Sequence, residues 1–99
     1  MYYANQIDYS LLPGHMQNSM KRYIEYGIEP GGFLYAVLTN DLMGAISKAD
    51  YINQQSLHLY ALFLYNNVPC SCFGSEEAVA NWLSMGGIQG LSCKDKEDN

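Results

Sequence analysis

Positive charge is the scarcest commodity in this sequence. Of 99 residues only five are Lys or Arg, and two of these, Lys94 and Lys96, sit in the terminal run KDKEDN. The body has only Lys21, Arg22 and Lys48 to offer an anion. Nucleic-acid backbones are held through several phosphate contacts, so binding of DNA or RNA through a basic face is disfavoured. A small nucleotide needs only one or two such groups and stays within reach. Charge of either sign is sparse: charged residues make up 15% of the chain, against about 25% in an average domain. A surface this poor in charge suggests that part of it is covered in a homo-oligomer.

Cysteine is also scarce. Cys70, Cys72 and Cys93 are an odd number, unsuited to a disulfide framework. A structural zinc site normally takes four ligands, often in C-x2-C pairs. Only His15 and His58 add to the three thiols, so the sequence predicts no metal site and no cofactor. The Cys70-Ser71-Cys72 pair reads as small thiols in a tight loop. No apolar run approaches the roughly 20 residues of a membrane span, and MYYANQIDYSLL lacks the basic start and apolar stretch of a signal peptide. The expectation is a soluble cytosolic protein with free thiols and no membrane contact.

What the chain does have is apolar residues, at 48%, and nine tyrosines. The apolar fraction is enough for one modest core and argues against general disorder. Tyrosine suits half-buried and contact positions, because it joins a large apolar face to one polar tip.

Residues 1–12 carry three tyrosines without a clear period and read as an N-terminal arm, packed on the body or on a neighbouring subunit. Pro13-Gly14 breaks the chain. Met16, Met20, Tyr23, Ile24 and Gly27 then follow helical spacing, with Gly27 placed to end the helix in a left-handed turn. The other face of that helix carries Gln17, Asn18, Lys21, Arg22 and Glu25. After Pro30-Gly31-Gly32, a second helix is expected over Phe33, Leu34, Val37 and Leu38. Asn40 or Asp41 caps a third, short one holding Leu42, Ala45, Ile46 and Ala49.

From Asp50 to Tyr65 apolar residues surround the helix, which predicts a central buried element. Asn66-Asn67-Val68-Pro69 stops it. Ser75 followed by Glu76 and Glu77 is a helix start, with a hydroxyl cap and acids at the positive dipole end. Ala78, Val79, Trp82 and Leu83 form the buried face of the last helix, which Gly86-Gly87 end. The expectation is an all-α fold: a compact bundle of four to five short helices in a single helical domain at 13–90, with a disordered acidic tail at 91–99.

Candidate contact residues are few. Pro30-Gly31-Gly32 offers free backbone amides before a helix, which an anion requires, but it lacks the strand and lysine of a phosphate loop. A plain turn between helices explains it equally. Lys21 and Arg22, with Tyr23 and Tyr26, combine phosphate partners with rings on which a base stacks. A solvated helix face, with Lys21 paired to Glu25, competes with that reading. His58 has no evident nucleophile or orienting acid beside it in sequence and reads as a histidine at the edge of the core with one hydrogen bond. No catalytic residue is assigned, and the chain is expected not to be an enzyme.

The series LPGHMQNSMKRYIEYGIEPGGFLYAVLTNDLMGAISKADYIN, followed by FLYNNVPCSCFGSEEAVANWL, resembles a family of small uncharacterised bacteriophage and prophage proteins. Its shared core runs R-Y-I-E-x-G-I-x-P-G-x-F-L-x-A-V-L-x-N-D-L, with a later Y-N-x-x-P-x-x-C-x-G-S block. Here those positions are Arg22 to Gly27, Pro30, Gly31, Phe33, Leu34, Ala36 to Leu38, Asn40 to Leu42 and Tyr65 to Ser75. Gly32 falls at a variable position of the pattern. The resemblance covers about residues 12 to 85 and implies a phage accessory product acting in the host cell cytoplasm.

Two functions compete in that setting. One is a homo-oligomeric sponge that sequesters a small nucleotide signal to counter host defence, held by Lys21, Arg22, Tyr23, Tyr26 and Gly31. The other is an inhibitor or adaptor that binds a host protein and takes no small-molecule ligand. An enzyme using His58 with Asp41 or Asp50 is a distant third.

Overall fold

The computed structural model describes residues 7–90, and these form an all-α fold. Five α-helices follow in order: α1 (Gly14–Tyr26), α2 (Gly32–Leu38), α3 (Leu42–Lys48), α4 (Tyr51–Asn67) and α5 (Glu76–Met85). A 3-10 turn at Cys70–Cys72 joins α4 to α5, and a further helical turn at 87–90 carries Ile88 into the core. The expected acidic tail at 91–99 and the first half of the tyrosine arm lie outside the described residues.

Local chemistry sets the helix boundaries. The Asp41 side chain accepts from the Gly44 amide at the start of α3, Asp50 accepts from Asn53 at the start of α4, and Ser75 accepts from Ala78 at the start of α5. Each relieves one of the unpaired amides of a first turn. α1 ends at Gly27, which takes the left-handed conformation with φ 66°. Its amide donates to Tyr23 O and the next one, of Ile28, to Arg22 O, the paired bonds of a glycine-terminated helix.

The core gathers one stripe from each long helix: Met20, Tyr23 and Ile24 of α1, Tyr60, Phe63 and Leu64 of α4, and Val79 and Trp82 of α5. Phe33, Leu34 and Leu38 of α2 close it, with Phe33 meeting Tyr60 edge to face at 5.2 Å between centroids. Two buried tyrosine hydroxyls are paired. Tyr23 donates to Cys72 O at 2.7 Å and Tyr60 to Asn53 Oδ1 at 2.6 Å.

The end of α1 meets the end of α5 backbone to backbone. A Cβ built on Gly27 would stand 2.7 Å from Gly86 Cα, and one on Gly87 would stand 2.6 Å from Gly27 N. Beside this contact the Trp82 indole N–H donates to both Tyr23 O and Ile24 O, at 3.1 and 3.2 Å. These are last-turn carbonyls of α1, so the tryptophan of α5 completes the cap of another helix.

Residues 7–12 take the first of the two placements open to the arm and pack on the body: Leu12 is buried, and Tyr9 stacks at 5.4 Å from Phe63 while its hydroxyl donates to Glu25. Two expectations need correction. Because this segment folds back over the flank of α1, Glu25 is buried rather than solvated and is not paired with Lys21. α4 is not a central helix. One side enters the core, and the other leaves Tyr51, Ile52, Leu62 and Tyr65 in solvent, because a single layer of neighbours covers only one side.

Burial raises the proton affinity of several core groups. Desolvation is the leading cause for Tyr23 and Tyr60, both raised above their ordinary value, and it pushes the Cys72 thiol from 9.0 up to about 12. A raised folded-state pKa means the native protein keeps a proton that the unfolded chain has released. That stability is complete below pH 9.0 and drains away as pH climbs through about 12. The melting temperature is therefore expected to hold at neutral pH and to fall steadily above pH 9.0, as circular dichroism would follow. A midpoint still unchanged at about pH 11 would contradict the burial of these groups.

Candidate binding groove

The residues singled out as a nucleotide site are not all at the surface. Lys21, Arg22 and Tyr26 are exposed along α1. Tyr23 is not available to stack on a base: it has no accessible surface, and its hydroxyl is committed to Cys72 O. It lies on the inward stripe of α1, where helical spacing also puts Met20 and Ile24. Gly31 is exposed and acts as the N-terminal cap residue of α2 in extended conformation. The side chain against the Pro30-Gly31-Gly32 turn is Lys48, whose Cδ would be 3.3 Å from a Cβ on Gly32. It comes from α3, sixteen or more residues from the turn in sequence, so local spacing gives no hint of it.

His58 is exposed on α4 rather than packed at the edge of the core. Asp50 caps α4 and meets His15 at 3.0 Å instead. The Asn53 amide is the leading cause of the lowered Asp50 carboxyl pKa, with His15 adding to it. Asp41 is engaged as the cap of α3. The two thiols follow the sequence reading, with Cys72 buried and Cys70 exposed in the turn. Among the described residues no group of three or more His, Cys, Asp or Glu side chains is arranged to hold a metal, and no helix is long and apolar enough to cross a membrane.

A concave site lies elsewhere. α2, α3 and α4, with Phe73 from the loop before α5, enclose an open groove of about 240 Å³. Its walls include Val37, Leu42, Leu57, Ala61, Tyr65 and Phe73, and its polar rim is Asn40 and Asp41. Small residues at Ala36, Ala45 and Ala61 create the space. Two bonds hold the rim in shape: the Asp41 amide donates to Ala36 O, and the Gly74 amide donates to Leu38 O at 2.7 Å. The second bond brings the start of α5, with Glu76 and Glu77 exposed in its first turn, toward the same end of α2.

The groove can take an apolar side chain, and its acidic rim suits a neutral or cationic neighbour better than a phosphate. The sequence carried one sign of it. α4 is apolar on more sides than a one-sided helix needs, and that excess forms the groove wall and the exposed stripe.

The fold and groove define a small all-α protein with an apolar, acid-rimmed surface site. Compared with protein-family models, curated proteins and solved structures, the chain matches none.

Proposed function

We propose that this protein is a non-catalytic binding protein that uses the groove between α2, α3 and α4 to hold an apolar anchor side chain of a host protein, flanked by Lys or Arg. The observation that carries this reading is the pairing of an apolar groove with a polar rim whose one charge is the Asp41 carboxylate, with Glu76 and Glu77 brought toward the same end of α2. Its volume of about 240 Å³ lies below the roughly 300–1,000 Å³ of sites that enclose a whole small molecule. It matches one or two side chains, as in grooves that accept the anchors of a docked helix. The phage-family resemblance supplies a setting, an accessory product that acts on a host protein in the host cytoplasm to counter defence.

The nucleotide sponge draws its support from a different place, the exposed cations Lys21 and Arg22 beside Tyr26. Without Tyr23 it has one ring instead of two, and that weighs in favour of the protein partner.

One experiment separates the two. Peptides selected from a random library on the immobilised protein are expected to carry an aromatic or aliphatic anchor next to Lys or Arg. Ala61→Phe, which fills the groove from an exposed position, should weaken the selected peptides at least about tenfold, or about 1.4 kcal/mol, with melting unchanged. Cyclic dinucleotides serve as the second arm. A thermal shift from them that Arg22→Ala abolishes, with peptide binding indifferent to Ala61→Phe, would overturn the groove reading.

A further inference from the structure

Apart from Tyr65, the outer face of α4 is used by neither the groove nor the core. Seventeen residues long, YINQQSLHLYALFLYNN contains no Asp, Glu, Lys or Arg. Away from the core it exposes Tyr51, Gln55, His58, Leu62 and Tyr65, spaced four, three, four and three. That is the spacing that keeps one seam of a helix facing another helix. Tyr51 is 75% exposed and Tyr65 82%, a large apolar area for a monomer to leave in water.

The stripe also reads almost alike in both directions. Tyr51 and Tyr65 each lie seven residues from His58, while Leu62 is mirrored by the exposed, uncharged Gln54 and Gln55 by the exposed Ala61. We infer that the occupant of this face is a second copy of the chain, with the two α4 helices packed antiparallel about a two-fold axis at His58. A two-fold interface must be complementary to itself, and this stripe is. Tyr51 of each copy then covers Tyr65 of the other, His58 meets His58, and Asp50 faces the neutral Asn66.

Charge selects this partner over others. The chain carries a net charge of −5, so most ways of bringing two copies together set acids against acids. The uncharged helix avoids that, and it offers no ionic handle to a charged partner. The area is adequate. A tyrosine brings roughly 150–250 Å², so the four in the seam supply roughly 600–1,000 Å², half or more of the roughly 1,200 Å² at the low end of stable interfaces. Leu62, His58, Gln54 and Gln55 of both copies add to it. The pairing also deepens the proposed site, because Tyr65 belongs both to the groove wall and to the seam. Each copy's Tyr51 thus stands at the mouth of the other's groove.

Sedimentation and light scattering of the full chain test this inference. The expected mass is twice the 11.1 kDa chain, reverting to a monomer in Leu62→Glu with an unchanged helical spectrum and melting point. Geometry is read by cysteine crosslinking in a Cys70→Ser, Cys93→Ser background. His58→Cys should link to itself under mild oxidant. Tyr51→Cys should not, but should link when mixed with Tyr65→Cys. A monomer throughout the micromolar range, a dimer indifferent to Leu62→Glu, or self-linking of Tyr51→Cys would each overturn the pairing. Leu42→Lys, on the α3 wall of the groove and away from α4, should cost peptide binding and leave the dimer mass untouched, so the groove and the seam fail separately.

Discussion

Gly87→Ala is expected to be among the most damaging single-methyl changes in this protein. Gly87 has φ 69°, a conformation that costs an L-residue about 1–2 kcal/mol. The added carbon would also stand 2.6 Å from Gly27 N and 2.7 Å from Ile24 O, both backbone atoms that no rotamer change can clear. Relief requires α1 and α5 to separate, which loosens the Trp82 bonds beside the contact. The combined loss should reach about 3–5 kcal/mol, a large share of the 5–15 kcal/mol of a typical domain. In a chain of this size that lowers the melting temperature by at least about 12 °C. Gly31→Ala is the control. Gly31 has φ −70° and open space around its Cβ position, so its melting point should stay within a few degrees of the parent. Equal melting of the two variants would mean that the helix ends do not meet.

Trp82→Ala should be comparably severe, for two separable reasons. The indole is almost wholly buried in the core, and truncating such a side chain costs about 3–5 kcal/mol. It also donates to Tyr23 O and Ile24 O, so its loss takes away the indole donor to Ile24 O at the end of α1, while Tyr23 O keeps the Gly27 amide. Trp82→Phe isolates the second effect. It keeps most of the apolar volume, removes the N–H, and should cost about 1–3 kcal/mol. Chemical denaturation of both variants checks the order. If Trp82→Phe proved as stable as the parent, the indole would be packing material and not a cap.

The helices were legible in the sequence because their signals are local. Asp41, Asp50 and Ser75 each cap the helix that follows, and Gly27 ends the one before it. The burial of α4 was not legible. Apolar residues around a helix show how much surface it would bury, not how many neighbours exist to cover it, and here they cover one side. Tyr23 and Tyr26 look alike as residues, yet only Tyr26 reaches solvent. Glu25 shows the same gap. Its place on α1 predicts a solvated side chain, but residues 7–12 fold across it and supply Tyr9.

The sequence by itself determined the all-α class, the helix boundaries and the uncharged character of α4, since capping, propensity and charge act within a few residues. The tertiary structure alone decided which tyrosines are core and which are surface, and that Lys48 rather than Lys21 lies against the Pro30-Gly31-Gly32 turn. It also decided that α2, α3 and α4 leave a groove between them. Those outcomes depend on contacts between residues far apart in the chain, such as Trp82 with Tyr23 and Gly87 with Gly27, and no local pattern encodes such a contact.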